Sequence, residues 1–476
     1  MAGHTLQIFS TPAYWGWKRS ENRLKVLLLA EMCNPNWTSV PLVGYNLARG
    51  LAEHPELDVT LVTQIRNRPA LLDDDINYYA QVEYIDNEHI AGRFHQLSRF
   101  LRGGEKMSWT IDTALMWPSY VVFEKMVYRH FKEQLHSHKF DLIHRITPLT
   151  PTIPSPLARL SPVPMIIGPI NGGLPWPEHF SHLRIHEREW LTPFRKAYQY
   201  LPYFRSTYRN LAGLILGSQF TRSEVPSYYR GLNEYMPENG INPDRFSLAQ
   251  QWPAPKSRFR FINIARMVPL KGIDMILKAM ASSTILRDCE LVLIGDGPER
   301  EKLESLSNEL QLGDRVLFRG WQNQKEISQE LSQSQVFVFP SIKEFGGGVI
   351  LEAMACGLPS IVMNYGGPAE IVTPETGIKL EMGPPEQIVT KLRQAMEYLA
   401  TDPEQCIRFS AAGVDRVKNE FLWSCKAAQI HRFYQQVLQS KHDHLKHPFS
   451  EKTAAPLEPV LQPVLSTTNY VSALES

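Results

Sequence analysis

The sequence has few cysteines and almost no net charge, and both features limit what the protein can be. Its 476 residues contain five scattered cysteines, an odd number, with no Cys-x-x-Cys pair. Such a set favours a reducing compartment and offers neither a disulfide framework nor a zinc site. The formal net charge is +1. A general nucleic-acid-binding role needs a large positive field, so we expect no nucleic-acid partner.

Long apolar runs are also absent. No segment approaches the roughly 18 consecutive apolar residues that a membrane-spanning helix needs. The longest early run, Val26 to Ala30, has only the length of a strand and follows a polar stretch. This run does not have the pattern of a secretory signal. We therefore expect a cytoplasmic protein.

The sequence does contain a regular alternation of strand-like and helix-like segments. Leu24 to Ala30 predicts a parallel strand buried on both faces, Val43 to Leu51 has helical periodicity, and Val59 to Val62 predicts the next strand. Together they form a βαβ unit. Later apolar runs continue the alternation: Asp141 to His144, Met165 to Ile167 and Leu214 to Leu216.

A turn-rich segment from Pro237 to Pro255 interrupts this alternation and predicts a linker between domains. A helical pattern from Gly272 to Met280 then accompanies a second set of strand-like runs: Phe259 to Ile264, Glu290 to Ile294, Arg315 to Phe318 and Val336 to Phe339. Two such halves predict an α/β fold with two doubly wound, Rossmann-like domains that face each other across a cleft.

The predicted domains occupy residues 24–236 and 256–420. A helix over about residues 424–439 is expected to pack back on the first domain. Residues before about 23 have no periodicity and are expected to form a loose extension. Residues 441–476 contain four prolines and little periodicity, and we expect them to be disordered.

The segment from Val336 to Glu352 is the most informative for function. A buried strand ends at Pro340, a loop presents Glu344, and three glycines lead into a helix that carries Val349 and Glu352: Gly346, Gly347 and Gly348. Ligands of open α/β sheets bind beyond the carboxyl ends of the strands. Glycines let a diphosphate approach the backbone, and the unpaired amides at a helix start point at it.

If the bound diphosphate is part of a nucleotide sugar, the sugar donor of a transfer reaction, the two carboxylates of this segment lie at its opposite ends. Glu352, one turn into the helix, suits the two ribose hydroxyls, and Glu344 can reach the transferred sugar. The alternative is a glycine-rich turn that caps a structural helix, with two solvated glutamates.

Two cations follow another predicted strand. Arg266 and Lys271 lie in the loop between the strand ending at Ile264 and the next helix. Fixed cations stabilise the negative charge that grows on a leaving diphosphate. Without the glutamate and glycine segment, a pair of solvated surface cations would be the simpler interpretation.

At this point the sequence resembles the family 4 retaining glycosyltransferases, which have the GT-B fold. The resemblance covers the linker and the second half of the chain through five motifs in the order typical of the family: Pro237 to Phe246, the pair Arg266 and Lys271, Leu291 to Pro298, the E-x7-E pair Glu344 and Glu352, and Gly366 to Glu370. Asn242 stands where the family's linker usually has aspartate.

The resemblance implies a retaining transfer from a nucleotide-diphosphate sugar. The leaving phosphate stays on the same face as the incoming acceptor and helps to deprotonate it. The implied catalytic residues are Glu344, Arg266, Lys271 and His144. No metal and no cofactor other than the donor are expected. Asp73 to Asp75 contain a D-x-D match, which we interpret as a solvated acidic loop.

Several positions depart from the family pattern. Ile146 stands where relatives often have a second histidine, and His144 is either near the donor sugar or a satisfied core histidine. The loop Glu31 to Val40 lacks the usual paired glycines, so contacts there must come from side chains or single amides. Glu344-Phe345-Gly346 replaces the commoner Glu-Gly-Phe order. Gly168 to Trp176 is either part of the sugar or acceptor pocket or a structural turn.

Two basic, aromatic segments, residues 93–106 and 184–209, have the composition of helices that dock on anionic lipid. They equally fit a partner surface or covered helices with snorkelling arginines. If they bind membrane, the acceptor is a lipid-linked sugar of cell-surface polysaccharide synthesis, and the protein is peripheral at the inner membrane face. Otherwise the acceptor is a glycan of unspecified kind.

Two other functions stay open. A GT-B sugar-nucleotide epimerase or phosphorylase would need additional acid, base or cofactor groups, and none is identified in the sequence. A non-catalytic sugar-nucleotide-binding relative is favoured only by Ile146. The retention of Glu344, Arg266 and Lys271 argues against that second function.

Overall fold

The computed structural model describes residues 8–10, 23–89, 92, 109–181, 183, 197–255 and 257–446. In this part of the chain, fourteen strands form two separate sheets. The α/β class with two Rossmann-like sheets is therefore confirmed.

The first sheet has eight strands in the order β1-β4-β3-β2-β5-β6-β7-β8. Seven of them are parallel, and β1 pairs with β4 in the antiparallel direction. The central strands are mostly buried on both faces, which is typical of a parallel sheet covered by helices. The strands are β1 Ile8–Ser10, β2 Leu24–Ala30, β3 Leu57–Gln64, β4 Ala80–Ile85, β5 Leu142–Thr147, β6 Met165–Ile170, β7 Gly213–Leu216 and β8 Leu232–Tyr235.

The second sheet has six parallel strands in the order β11-β10-β9-β12-β13-β14. Strands β9 and β12 are neighbours at the point where the strand order reverses. Ligand sites of doubly wound sheets form at such a point. The strands are β9 Arg260–Ile264, β10 Glu290–Ile294, β11 Val316–Gly320, β12 Val336–Phe339, β13 Ser360–Met363 and β14 Gly377–Leu380.

Fifteen α-helices of the described residues cover the two sheets. Those before the linker are α1 Val40–Glu53, α2 Arg68–Leu71, α3 Ile76–Tyr79, α4 Trp109–His136, α5 Leu157–Leu160, α6 Phe204–Asn210 and α7 Gln219–Ser223. Those after it are α8 Ile273–Ala281, α9 Arg300–Glu309, α10 Gln324–Leu331, α11 Gly348–Ala355, α12 Gly366–Ile371, α13 Pro385–Thr401, α14 Pro403–Arg416 and α15 Trp423–Lys446.

Helix α15 packs against the first sheet although it follows the second sheet in the chain. Its apolar side chains share one buried cluster with strands β2 to β5 and with helix α1. The fit is close at two glycines. A Cβ atom on Gly50 would lie 3.1 Å from the Trp423 carbonyl oxygen, and one on Gly213 would lie 2.9 Å from the Phe433 ring. Gly50 therefore allows α15 to approach helix α1, and Gly213 allows it to approach strand β7.

Two expectations about the chain ends need correction. Strand β1 lies inside the N-terminal stretch that was expected to be a loose extension, because its backbone pairs with β4. Helix α15 continues to Lys446, into the segment expected to be disordered from residue 441. Three parts of the chain for which expectations were given lie outside the described residues: 447–476, the basic segment 93–106, and residues 184–196 of the other basic segment. None of the helices described is both long enough and apolar enough to cross a membrane.

Candidate functional site

Glu344 and Lys271 meet at the carboxyl edge of the second sheet. Glu344 lies in the loop after β12, and Lys271 ends a short 3-10 turn after β9. Because β9 and β12 are adjacent, the two loops lie side by side. The Lys271 ammonium donates a hydrogen bond to Glu344 Oε2, and both side chains are mostly buried. The ammonium also lies 5.1 Å from the centre of the Phe339 ring.

Arg266 lies in the same loop as Lys271, two residues beyond the end of β9, and its side chain is exposed. Among the described residues it forms no ion pair. The loop after β10 supports its backbone, because the Met267 amide donates to the Asp296 carbonyl over 2.9 Å. The structure thus places Arg266 and Lys271 in one loop, with the Arg266 side chain exposed and the Lys271 ammonium paired with Glu344.

The glycine segment makes the start of helix α11 compact. Gly347 has a φ of +58°, which favours glycine, and it precedes the first helical residue, Gly348. A Cβ atom on Gly346 would lie 2.3 Å from Asn239 Nδ2 and 2.4 Å from Glu238 Oε1. At Gly346, therefore, the missing Cβ makes room for the linker side chains rather than for a ligand, which corrects that part of the sequence argument.

The backbone of Glu344 is held by the next glycine pair. The Gly367 amide donates to the Glu344 carbonyl over 3.0 Å. A Cβ atom on Gly366, where φ is +62°, would lie 2.4 Å from the same oxygen. The Gly366 to Glu370 motif thus fixes the loop that presents the Glu344 carboxylate.

Glu352 lies on α11, one turn beyond the glycines, and is partly buried. Burial raises the pKa of its carboxyl group to about 7. A carboxyl group with this pKa is only partly ionised near neutral pH. Hydrogen-bond donors such as ribose hydroxyls would stabilise its ionised form.

Several hydrogen bonds join the two halves of the chain beside this loop. Asn171, after β6, donates to Glu238 Oε2 over 2.8 Å and to the Phe345 carbonyl over 3.1 Å. Glu370 accepts from the Tyr235 hydroxyl over 2.7 Å and from the Gln219 amide over 3.0 Å. Asn171 therefore lies at the cleft as a contact between the halves, next to the glycine loop.

Two buried residues with ionisable side chains, Glu238 and Lys426, lie near this contact, and no sequence pattern marks them. Lys426 of α15 is almost fully buried and donates to the Pro237 carbonyl over 2.7 Å. Burial lowers its pKa to about 7. Burial also raises the pKa of Glu238. Glu238 was read only as part of the linker motif, and no local pattern indicates that it meets Asn171, 67 residues away.

His144 is the one predicted catalytic residue that the structure separates from the others. It lies within β5 and is fully buried. Its Nε2–H donates to the Gly168 carbonyl over 2.8 Å, and its Nδ1 accepts from the Tyr434 hydroxyl over 2.6 Å. Burial lowers its pKa to about 4. Both ring nitrogens are satisfied in the core, so the catalytic assignment of His144 is withdrawn in favour of its structural alternative. Ile146 is also fully buried.

The acidic run that contains the D-x-D match has a structural role, mainly through its middle residue, Asp74. Asp74 accepts hydrogen bonds from the Tyr45 hydroxyl over 2.9 and 3.0 Å and from the Ile76 amide over 2.9 Å. Asp75 lies 3.9 Å from Arg49 and is largely exposed. These contacts fit an acidic loop that fastens α1 to α3.

Glu31 begins the loop Glu31 to Val40, and the sequence does not indicate which residue of this loop contacts a ligand. It follows β2 at the carboxyl edge of the first sheet and is buried, and its Oε2 has no hydrogen-bond partner among the described residues. Burial raises its pKa to about 7, with the nearby Arg66 opposing that shift. The sequence signal that could have identified Glu31 is its position as an acidic residue directly after a buried strand.

Comparison with known proteins gives partial matches to glycosyltransferases. Residues 244–413 match the sequence model of glycosyl transferases group 1. A lipopolysaccharide core biosynthesis glycosyltransferase of Rhizobium meliloti is 33% identical over 168 residues, which are 35% of this chain and 46% of that protein. A GDP-mannose-dependent monoacylated alpha-(1-6)-phosphatidylinositol monomannoside mannosyltransferase of Corynebacterium glutamicum is 29% identical over 214 residues, 41% of this chain and 54% of that protein. The chain thus spans about half the length of these relatives.

Among solved structures, sucrose-phosphate synthase from Thermosynechococcus elongatus superposes with a TM-score of 0.60 at 21% identity. The superposition covers 88% of this chain and 100% of that one, and it supports the two-sheet fold. The family match contains the Arg266 loop, the Glu344 loop and helix α11. Residues 244–413 of this chain are therefore similar to the glycosyl transferases group 1.

Proposed function

We propose that this protein is a retaining, metal-independent glycosyltransferase that moves a sugar from a nucleotide-diphosphate donor to a glycan or lipid-linked acceptor. The observation that carries the proposal is the pairing of Lys271 with Glu344 at the carboxyl edge between β9 and β12, with Arg266 exposed in the same loop. Cations and a carboxylate in one place suit a donor with a charged diphosphate and a neutral sugar.

The diphosphate would bind between the two cations and the start of α11. Arg266 has a free guanidinium for a phosphate oxygen, and the backbone amides of Gly348 and Val349 lie in the first turn of the helix. Lys271 would exchange part of its contact with Glu344 for a second phosphate oxygen. This exchange keeps the ammonium paired in both states and avoids an unpaired buried charge.

The transfer itself breaks the bond between the anomeric carbon and the phosphate oxygen. Negative charge then grows on the diphosphate, where Arg266 and Lys271 stabilise it. The acceptor hydroxyl forms its bond to the anomeric carbon on the same face, and its proton passes to an oxygen of the leaving phosphate. Because Lys271 then gives up part of its contact with Glu344, the Glu344 carboxylate can accept a hydrogen bond from a hydroxyl of the transferred sugar.

At the other end of the donor, Glu352 would accept hydrogen bonds from the two ribose hydroxyls. Its position on α11 supports this role, because the diphosphate is proposed to bind at the start of the same helix, Gly348–Ala355. With cations and helix amides placed around the diphosphate, the proposed chemistry uses neither a metal nor a further cofactor.

The acceptor is proposed to be lipid-linked. The two relatives compared above are named for lipopolysaccharide core synthesis and for a phosphatidylinositol monomannoside, and both names refer to glycolipids. On the described part of the 184–209 segment, Tyr200 is 91% exposed and Tyr203 is 37% exposed. Arg205 and Arg209 flank the Tyr228 ring nearby. Exposed aromatic rings beside cations suit a peripheral contact with the inner face of an anionic membrane.

A panel of radiolabelled nucleotide sugars, incubated with the protein and membrane lipid extracts in the presence of EDTA, tests the proposal. Transfer of label from one donor to a lipid-extractable product, with the anomeric configuration of the donor kept, is the expected result. Inversion of configuration or full dependence on added metal would contradict the mechanism. Flotation with liposomes tests the membrane contact, which requires binding that depends on anionic lipid.

A non-catalytic sugar-nucleotide-binding protein is the second candidate, and one observation favours it. His144 and Ile146 are both buried in β5, so no histidine of this strand faces a donor. Saturable donor binding with neither hydrolysis nor transfer across the whole panel would identify this function.

A further inference from the structure

Three side chains of types that bind metal ions lie together away from the proposed donor site. His54 follows helix α1, Glu56 precedes strand β3, and His431 lies on helix α15. Their potential ligand atoms all lie within 4.8 Å of one another. The three residues therefore meet where α15 packs on the first half of the chain.

The present geometry is near to that of a metal site. His431 Nδ1 lies 3.4 Å from Glu56 Oε2. The centres of the His54 and His431 rings are 4.6 Å apart, with an angle of 42° between the ring planes. Zn–N and Zn–O bonds of about 2.0–2.2 Å in a tetrahedron place ligand atoms about 3.3 Å apart. The His431 and Glu56 atoms already have this spacing, and the third ligand needs a shift of about 1.5 Å or less.

The surroundings of the three side chains favour ligation. The His431 side chain is 7% exposed and held by packing, whereas the Glu56 side chain is 67% exposed and can rotate onto an ion. The cost is small, because His54 Nδ1 gives up only a 3.3 Å hydrogen bond from the Glu56 amide.

We propose that His54, Glu56 and His431 form a site for a divalent transition metal such as Zn²⁺, with solvent completing its coordination. Two imidazoles and one carboxylate suit Zn²⁺ better than Mg²⁺ or Ca²⁺, which prefer oxygen ligands. The ion would fasten α15 to the loop between α1 and β3. This site is separate from the donor site and does not depend on the proposed function.

The test is titration of the full-length, tag-free and EDTA-treated protein with ZnCl₂ by calorimetry, and with CoCl₂ by visible absorption. We expect saturable binding with one ion per chain and the absorption bands of a low-coordinate cobalt ion. His54→Asn and Glu56→Gln should each weaken the affinity by at least about 100-fold, since removing even an outer-shell partner costs 10- to 100-fold. Zn²⁺ should also raise the Tm of the wild type but not of these variants.

His130→Asn is the matched control, because His130 is an exposed histidine on α4. The control should bind as the wild type does. Glu56→Gln keeps the test decisive, since an exposed carboxylate can be changed to its amide without disturbing the core, and circular dichroism verifies the fold. No binding to the wild type, equal binding to Glu56→Gln, or an equal loss in His130→Asn would overturn the proposal.

Discussion

The ammonium group of Lys271 donates a hydrogen bond to Glu344 Oε2, across 73 positions of the sequence. The two residues meet because their strands, β9 and β12, are neighbours in the second sheet. The pair explains how a lysine can lie mostly buried without an unpaired charge. It also places one cation and one carboxylate of the proposed donor site in direct contact before any donor binds.

Arg266 should contribute to transfer through the leaving diphosphate. Arg266→Gln is expected to lower kcat/KM by about 100-fold, the usual cost of removing one group that stabilises transition-state charge. Steady-state kinetics with the donor identified by the panel measure the effect. Arg258→Gln is the matched control, because Arg258 is exposed and pairs only with Asp314 among the described residues. Equal losses in both variants would show that general surface charge, not Arg266, is responsible.

Donor binding should depend on pH through Glu352. Its pKa of about 7 means that the ionised form, which accepts two ribose hydrogen bonds, decreases as the pH falls below 7. Donor affinity measured by calorimetry should therefore fall from pH 8 to pH 6 in the wild type. In Glu352→Gln the affinity should be lower at pH 8 and nearly constant over this range. A wild-type affinity that rises on acidification would contradict the role of Glu352.

Gly346 should not tolerate a side chain. In Gly346→Ala the new Cβ atom would overlap with Asn239 and Glu238, and overpacking of this kind costs about 1–3 kcal/mol. Because the linker must shift, transfer activity should fall together with the free energy of unfolding. Gly383→Ala is the control, since its Cβ atom would meet only the end of the Gln387 side chain, at 3.3 Å. Denaturant unfolding and kinetics of both variants measure these effects.

His144 should affect stability and leave catalysis largely intact. His144→Phe leaves the Tyr434 hydroxyl and the Gly168 carbonyl unpaired in the core, which should cost about 3 kcal/mol of unfolding free energy. Transfer activity of the folded variant should stay within about threefold of the wild type, which is less than 1 kcal/mol in the barrier. A loss of about 100-fold in kcat without a loss of stability would return His144 to the catalytic set.

His144 should also change the stability of the protein at acidic pH. The pKa of His144 is about 4 in the folded protein and 6.5 as the ordinary value. The unfolded chain therefore binds the additional proton, and stability from this residue is complete above pH 6.5 and decreases as the pH falls towards 4. The stability difference between the wild type and His144→Phe should shrink by about 3 kcal/mol over that range. A difference that grows on acidification would exclude a neutral buried His144.

The sequence predicts much of the fold because apolar runs mark the buried strands directly. Strands β2, β10 and β12 begin and end at the residues expected from their apolar runs. Strand β1 was missed, because it is short and is defined by its pairing with β4 rather than by its own pattern. Hydrogen bonding to a distant partner leaves no local signal in the chain.

The candidate site, like the fold, could be predicted from the sequence only in part. The loops that carry Arg266, Lys271 and Glu344 follow recognisable strands, so their common edge could be predicted. The direct bond between Lys271 and Glu344 could not, since it depends on side-chain placement across the sheet. The local sequence also places His144 at the end of its predicted strand, whereas its hydrogen bond with Tyr434 comes from α15, 290 positions later.

The most direct test of the central claim compares transfer rates of Lys271→Met and Glu344→Gln with those of Lys278→Met. Lys278 is an exposed lysine on α8 that pairs with Asp274, and its variant controls for the loss of one ammonium group. Both site variants should lose at least about 100-fold in kcat/KM, while Lys278→Met should keep the wild-type value. Wild-type transfer rates in a folded Lys271→Met or Glu344→Gln protein would contradict the claim.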